Sequence, residues 1–283
     1  MESMKKFIWL ASYPKSGNTM VRLFLSAYFF TKDGIIRSFD TIKHIINFQS
    51  IILELPNCPS YEDFKNSLEK VYPLWIEAQK YHAQKINKAI LLKTHCFVGK
   101  ACGYSVTNNQ FTKGFIYIVR DPRSVAISSM HHFNLTTENS VKMLLDDNKW
   151  SFAKGAPAPE IISSWKNNYL SWKNFSSDVP SLILKYEEII ESPKTEYLKI
   201  LFFLQNIMEF EIDSKKFNNA LKSVDFINLK NLEKKEGFDE NTSKSGQFFR
   251  KGIKDDWKEK LPKNLQLIIE NKFSKEMSEL NYI

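Results

Sequence analysis

The 283 residues are 43% hydrophobic, enough for one large domain or two small ones, and no apolar run reaches the roughly 18 residues of a membrane span. The formal charge of +8 comes from lysines scattered along the chain, so charge alone does not choose between nucleic acid, an anionic surface and a polyanionic small ligand. Cys58, Cys96 and Cys102 show no CxxC spacing and point to reduced thiols in a cytosol rather than to a disulfide framework or a zinc site, and the N-terminus runs into the first apolar segment with no room for a secretory signal.

In chain order, residues 7–11 have the length and apolarity of a buried strand. A tight Pro14-Lys15-Ser16-Gly17 turn follows, and residues 18–30 read as a helix with an apolar face. Residues 38–55 read as helical and stop at Pro56, and residues 61–84 as one or two helices broken near Pro73. Residues 89–93, 114–119 and 182–186 are three further short apolar strands, the second followed by a helix over 124–133 and the third by one over 195–204. Residues 136–159, with a Gly-Ala-Pro-Ala-Pro stretch, and the polar residues 234–247 read as loops or lids. This alternation predicts an α/β fold: a single domain over residues 1–283, with a central parallel sheet flanked by helices.

Four strands end in residues that can do chemistry: Tyr13 to Thr19, Lys93-Thr94-His95, Arg120-Asp121-Pro122-Arg123, and Tyr186. In an open parallel sheet, ligands bind beyond the carboxyl ends of the strands, so these residues should meet in one crevice. The first end is a phosphate cradle, since a strand turning sharply into a helix aims unpaired N–H groups and the positive end of the helix dipole at one spot. Lys15 adds a mobile charge there, and Ser16 and Thr19 add hydroxyls. The GxxxxGK[ST] pattern of nucleotide triphosphatases is absent, because the lysine precedes the single glycine. Arg120 with Ser128 on the following helix makes a second anion site, and the blander alternative is that Asp121 and Arg123 merely cap and pair at the surface. Two anion sites in one crevice imply a ligand phosphorylated at two separated positions.

Taken together, Tyr13-Pro-Lys-Ser-Gly-Asn-Thr19, Lys93-Thr-His95, Arg120 with Ser128, and Arg250-Lys-Gly-Ile-Lys-Asp-Asp-Trp-Lys258 resemble the signatures of the cytosolic-type sulfotransferases, in order and in rough spacing. The resemblance implies transfer of a sulfuryl group from 3′-phosphoadenosine 5′-phosphosulfate (PAPS) to a hydroxyl or amine, leaving the 3′,5′-bisphosphate (PAP). It implies a P-loop-like turn in which Lys15, Ser16, Gly17, Asn18 and Thr19 hold the 5′-phosphosulfate. By the same resemblance Arg120 and Ser128 would hold the 3′-phosphate with Arg250, Lys251 and Gly252, and Tyr186 and Phe226 would contact the adenine. The sequence departs from the family at Asn18, at Met20, where a tryptophan commonly stacks on adenine, and at Asp255, which replaces a glycine. No dimerisation signature is recognisable, so the oligomeric state stays open.

The chemistry needs a base, for which His95 suits, and cations for developing charge, for which Lys15 and Lys93 suit. No metal is required and no metal-ligand spacing is present. Cys96 and His95 are adjacent strand residues facing opposite ways, which speaks against a nucleophile pair. His131 and His132, and Glu187 and Glu188, read as packing or solvated residues. Two other functions stay open on the residues alone: a metal-dependent P-loop kinase of small molecules, and a basic nucleic-acid-binding module, the latter without a basic aromatic groove or helix-turn-helix pattern. The acceptor pocket is expected from residues 33–60, 136–159 and 234–247, and nothing in them names the acceptor: a small molecule, or a hydroxyl of a glycan, lipid or peptide. The expected location is cytoplasmic.

Overall fold

In the computed structural model, which describes residues 4–152, 158–241, 246–249, 252 and 255–283, the apolar run at the N-terminus is strand β1 (Phe7–Ser12), buried along its whole length. Eight strands occur among the described residues: β1, β2 (Ile90–Thr94), β3 (Lys100–Ala101), β4 (Tyr104–Ser105), β5 (Thr112–Val119), β6 (Trp150–Ser151), β7 (Glu160–Ile161) and β8 (Ser181–Lys185). Four of them form one parallel sheet in the order β2-β1-β5-β8, while β3-β4 and β6-β7 are two-residue antiparallel ribbons.

A strand covered on both faces must be apolar at every position, and β1 serves two cores at once. Phe7, Trp9 and Ala11 join Phe115, Tyr117 and Val119 of β5 on one side. Ile8 and Leu10 join Ile116 and Ile118 on the other, beneath the helix Asn18–Phe30. The helices Pro122–Phe133 and Trp165–Phe175 cover the first side through Val125, Ile127, Trp165 and Trp172. The register sets Leu10 beside both Lys93 and Ile116, so the carboxyl ends of β1, β2 and β5 lie at one edge. The chain leaves β1 for β2 on one flank and returns to β5 on the other, which makes the β1–β5 boundary the switch point where a crevice forms.

The expected sheet is therefore present, and Pro73 does separate two helical stretches, Tyr61–Asn66 with a 3-10 turn Leu68–Val71, and Leu74–Ala83. Elsewhere the elements differ. The expected helix over 38–55 is a 3-10 helix Phe39–His44 and a helix Phe48–Leu53, parted where the Ile46 carbonyl accepts the Lys93 N–H at 2.9 Å. Of the expected loop over 136–159, the first part is a helix, Thr137–Leu145, capped by Thr136 and packed through Val141 and Leu144. Residues 153–157, which include most of the Gly-Ala-Pro stretch, lie outside the described residues. The polar segment 234–247 begins as the end of the helix Phe226–Glu236 and then buries Phe238 against Phe39 and Phe249.

Candidate active site

The turn after β1 is bent by two left-handed residues, Lys15 at φ 68° and Gly17 at φ 98°. A lysine in that region is strained by about 1–3 kcal/mol, which the surroundings must hold in place. Gly17 is required twice over, because a Cβ there would lie 2.5 Å from the Tyr186 ring. The result is a concave run of amides. The N–H groups of Met20 and Val21 bond to the Gly17 carbonyl, whereas those of Lys15, Ser16, Gly17, Asn18 and Thr19 donate to no described group. Asn18 spends its side-chain amide on the Leu10 carbonyl at 3.1 Å and on Ser12 Oγ at 3.3 Å, so it pins the turn to β1 and offers the cavity its backbone.

Arg120 ends β5 and reaches across to this turn, donating from Nη1 to the Lys15 carbonyl at 3.0 Å while its guanidinium lies 4.2 Å from the centre of the Tyr186 ring. Lys15, Gly17, Arg120 and Tyr186 thus form one contact group. Ser128 follows on the helix Pro122–Phe133, whose N-terminus is capped by the Asp121 side chain. The capping pair expected at Asp121 and Arg123 is also there, but buried: Arg123 holds Asp121, Glu270 and the Tyr282 carbonyl and stacks 3.7 Å from the Trp257 ring. The cap and the ion pair are therefore present, but in the interior rather than at the surface. Glu187 accepts from the Asp121 N–H and the Tyr282 hydroxyl, a structural brace as expected.

At the end of β2, His95 turns its Nδ1 to the Ser12 carbonyl at 2.8 Å. A carbonyl can only accept, so Nδ1 carries the hydrogen and Nε2 keeps a lone pair. Burial, and then Lys93, pull the imidazole pKa down to about 3, so the ring is neutral at physiological pH. Burial and the neighbouring Arg120 lower Lys15 to about 7, with Glu240 acting in the opposite direction. Its Nζ sits 4.2 Å from the centre of the Phe248 ring. Burial also lowers Lys93, against the pull of Glu160 and Glu240. Cys96 is buried behind the strand, away from this face, and burial raises its thiol.

One cavity of about 660 Å³ gathers these groups. Lys15, Gly17, Asn18, Thr19, Met20, Lys93, His95, Arg120, Ser128, Tyr186, Phe226 and Gly252 all line it. Ser16 is fully buried behind the wall, and Arg250 and Lys251 lie outside the described residues. Gly252 packs on Phe226, where a Cβ would come within 2.5 Å of the ring. The wall of the cavity includes the amide cradle with Arg120, Ser128, Tyr186 and Phe226, and also Tyr13, Met143, Trp150, Phe152, Glu160 and Ile162 with His95. Glu160, Phe248, His131 and His132 line it without having been singled out for it by sequence. The two histidines sit a turn beyond Ser124 and Ser128, a spacing that could have placed them there. Glu160 lies in a two-residue strand that leaves no periodic trace.

A family model for the sulfotransferase domain matches residues 5–281. The chain belongs to the sulfotransferase family. Amine sulfotransferase of Oryctolagus cuniculus is 24% identical over 89% of this chain and 74% of its own length. Sulfotransferase 1A1 of Rattus norvegicus is 32% identical over 50% of this chain, and that alignment spans only 48% of the relative. Among solved structures, mouse sulfotransferase SULT7A1 complexed with PAP shares the fold at a TM-score of 0.62 and 21% identity, over 96% of this chain and 84% of that one. Retinol dehydratase in complex with androsterone and PAP does so at 0.62 and 18%, over 98% and 81%. The activity of the sulfotransferase family is PAPS-dependent sulfuryl transfer.

The residues present fit such a donor. A cradle of N–H groups that donate to no described group, a glycine that admits no side chain and a guanidinium over an aromatic ring suit a nucleotide carrying two separate anions. Among the described residues no group of three or more His, Cys, Asp or Glu could hold a metal ion, and no helix is long and apolar enough to cross a membrane.

Proposed function

We propose that the chain is a PAPS-dependent sulfotransferase in which His95 is the general base for a small-molecule hydroxyl or amine acceptor. The observation that carries this is one cavity lined both by the amide cradle and by an imidazole whose Nε2 lone pair is fixed by the Ser12 carbonyl.

PAPS supplies the sulfuryl group together with a good leaving group. Everything else is done by the chain. The N–H groups and Lys15 of the first turn hold the phosphosulfate end. Arg120 and Ser128 hold the 3′-phosphate, with Arg250, Lys251 and Gly252 assigned to it by resemblance. Tyr186 and Phe226 flank the adenine with Met20, a flexible thioether in the place of a flat ring. His95 Nε2 takes the acceptor proton, and Lys15 and Lys93 neutralise charge as the group passes in line between donor and acceptor. The aromatic and aliphatic wall around Trp150, Phe152 and Ile162 favours an acceptor with an apolar body. A single domain working in the cytoplasm completes the reading.

The test is incubation of the purified chain with PAPS and a panel of phenols, alcohols, amines and sugars, read by mass spectrometry for the gain of one SO₃ and by the release of PAP. Transfer to a phenol or alcohol is the expected result. PAP release without any sulfated product, or no turnover across the panel, overturns it.

A further inference from the structure

Glu160 is a buried carboxylate in the wall of the cavity, outside every motif of the sequence. It opens strand β7, which pairs with β6 beside Trp150 on the acceptor side. Its Oε1 accepts the His95 backbone N–H, and the Thr94 hydroxyl donates to the same oxygen at 3.3 Å. One residue on, the Ile161 carbonyl accepts the Phe97 N–H at 3.1 Å. The turn that carries His95 is therefore held from the acceptor side by two successive residues, while the imidazole is held from the other side by Ser12.

The charges around this turn are divided between two carboxylates. Lys93 is faced by Glu160 and Glu240, by Arg22 and by the Cys96 thiol. His95 is faced by Lys93, Glu160 and Lys15. Lys15 is faced by Arg120 and Glu240. Glu160 is the carboxylate that Lys93 and His95 share, and its pull on Lys93 exceeds that of Glu240. A carboxylate buried this deeply would neutralise without a cation, yet Lys93 and the hydrogen bond donated by the His95 backbone N–H keep it below its ordinary value.

We infer that Glu160 is a positioning residue of the transfer reaction, fixing His95 through its backbone N–H and supplying the counter-charge to Lys93. This rests on the proposed function and adds to it a residue on the acceptor side. The role assigned to the carboxylate is indirect, since its Oε1 accepts from the His95 N–H and the Thr94 hydroxyl. Its loss acts through two others: the imidazole is less well aimed, and Lys93 gives up its proton at lower pH.

The experiment is the pH profile of kcat for Glu160→Gln, which keeps an accepting oxygen but removes the charge. The basic limb should move toward acid by about one pH unit, the lower end of what an opposite charge contributes. At pH 6 kcat should fall roughly tenfold, within the range that small misplacement costs. PAP affinity at that pH should stay near that of the wild type. Glu160→Asp, with the charge kept, should leave the limb in place while kcat drops. If Glu160→Gln does not fold, Glu160→Asp carries the test alone, and wild-type kcat in it overturns the inference. A folded Glu160→Gln with an unmoved basic limb also overturns it, whatever happens to kcat, because a structural brace alone does not move the limb. If the wild-type chain itself transfers nothing from PAPS, the proposed function has failed; if it transfers normally and the variants behave as wild type, only the Glu160 inference has.

Discussion

The Ser12 carbonyl oxygen lies 2.8 Å from Nδ1 of His95, and this contact decides which nitrogen of the ring can act. Because Nδ1–H is donated to the end of β1, the lone pair sits on Nε2. His95→Ala should lower kcat on the order of 10²–10⁴-fold, the usual contribution of positioned proton transfer. Calorimetry should find its PAP affinity almost unchanged. Near-normal turnover in this variant would move the base elsewhere. With a folded pKa of about 3, the ring stays neutral across the neutral and mildly acidic range, so kcat should show no acid limb near pH 6 from this residue.

Lys15 makes donor binding depend on pH. Its folded pKa is about 7 in the free chain, lowered first by burial and then by Arg120. A bound anion favours the ammonium, so binding raises that value and draws in a proton. PAP affinity should therefore be greatest below pH 7 and weaken as pH rises through 7 to 9. Titrations in buffers of different ionisation enthalpy should report net proton uptake near pH 8. Lys15→Ala should abolish this uptake and depress both affinity and kcat, since the cation acts before and during transfer. Uptake that persists in Lys15→Ala assigns it to another group.

The proposed second anion site predicts which nucleotides bind. Arg120 and Ser128 belong to the same cavity as the cradle, so the 3′,5′-bisphosphate should bind far better than the 5′-monophosphate. Charge-assisted hydrogen bonds contribute about 1.5–3 kcal/mol each, and the loss should come to several kcal/mol in total. Equal affinities by calorimetry would remove the 3′-phosphate from this site.

Gly17 should tolerate no substitution. Alanine there would carry an unfavourable φ of 98° and place its Cβ 2.5 Å from the Tyr186 ring. Gly17→Ala should cost about 1–3 kcal/mol of stability in denaturant titration, the range for a strained backbone residue. PAP affinity should fall as well, because Tyr186 must move and it carries Arg120 on its face. Unchanged stability would mean that the turn relaxes at no cost.

The late segment, finally, is anchored before it reaches Gly252. Phe238 packs between Phe39 and Phe249, and Glu240 pairs with the buried Arg22 at 2.6 Å. Hydrogen exchange over residues 237–241 and 246–249 should slow further when the bisphosphate is added, since Phe248 lies against Lys15. Exchange unaffected by PAP would separate this segment from the donor.

Much of this arrangement was legible because it is local. The apolar runs of β1 and β5 are continuous, as central strands buried on both faces must be, those of the edge strands β2 and β8 are shorter and only partly buried, and each ends in residues of a different chemistry. What stayed hidden has long-range causes. The strand pair Trp150–Ser151 with Glu160–Ile161 is two residues long and has no period to read. The helix Thr137–Leu145 is polar enough to pass for a loop, although Thr136 capping Asn139 and the Val141–Leu144 spacing mark it. The 3-10 turn at Phe39–His44 and the break after it are set by Ile46 bonding to Lys93, a contact between segments far apart in the chain. The tautomer of His95 is likewise invisible until Ser12 is beside it.

The brace from the β6–β7 ribbon to the turn after β2 also bears on how acceptor preference can change. Glu160 and Ile161 hold the backbone at His95 and Phe97, while Trp150 and Phe152, on the same hairpin, face the cavity. On the proposed reading, selectivity and turnover share a hinge. Libraries aimed at new acceptors should therefore keep residues 160–161 intact and diversify the arm that carries Trp150 and Phe152, where a new side chain alters the wall without loosening the turn that carries His95.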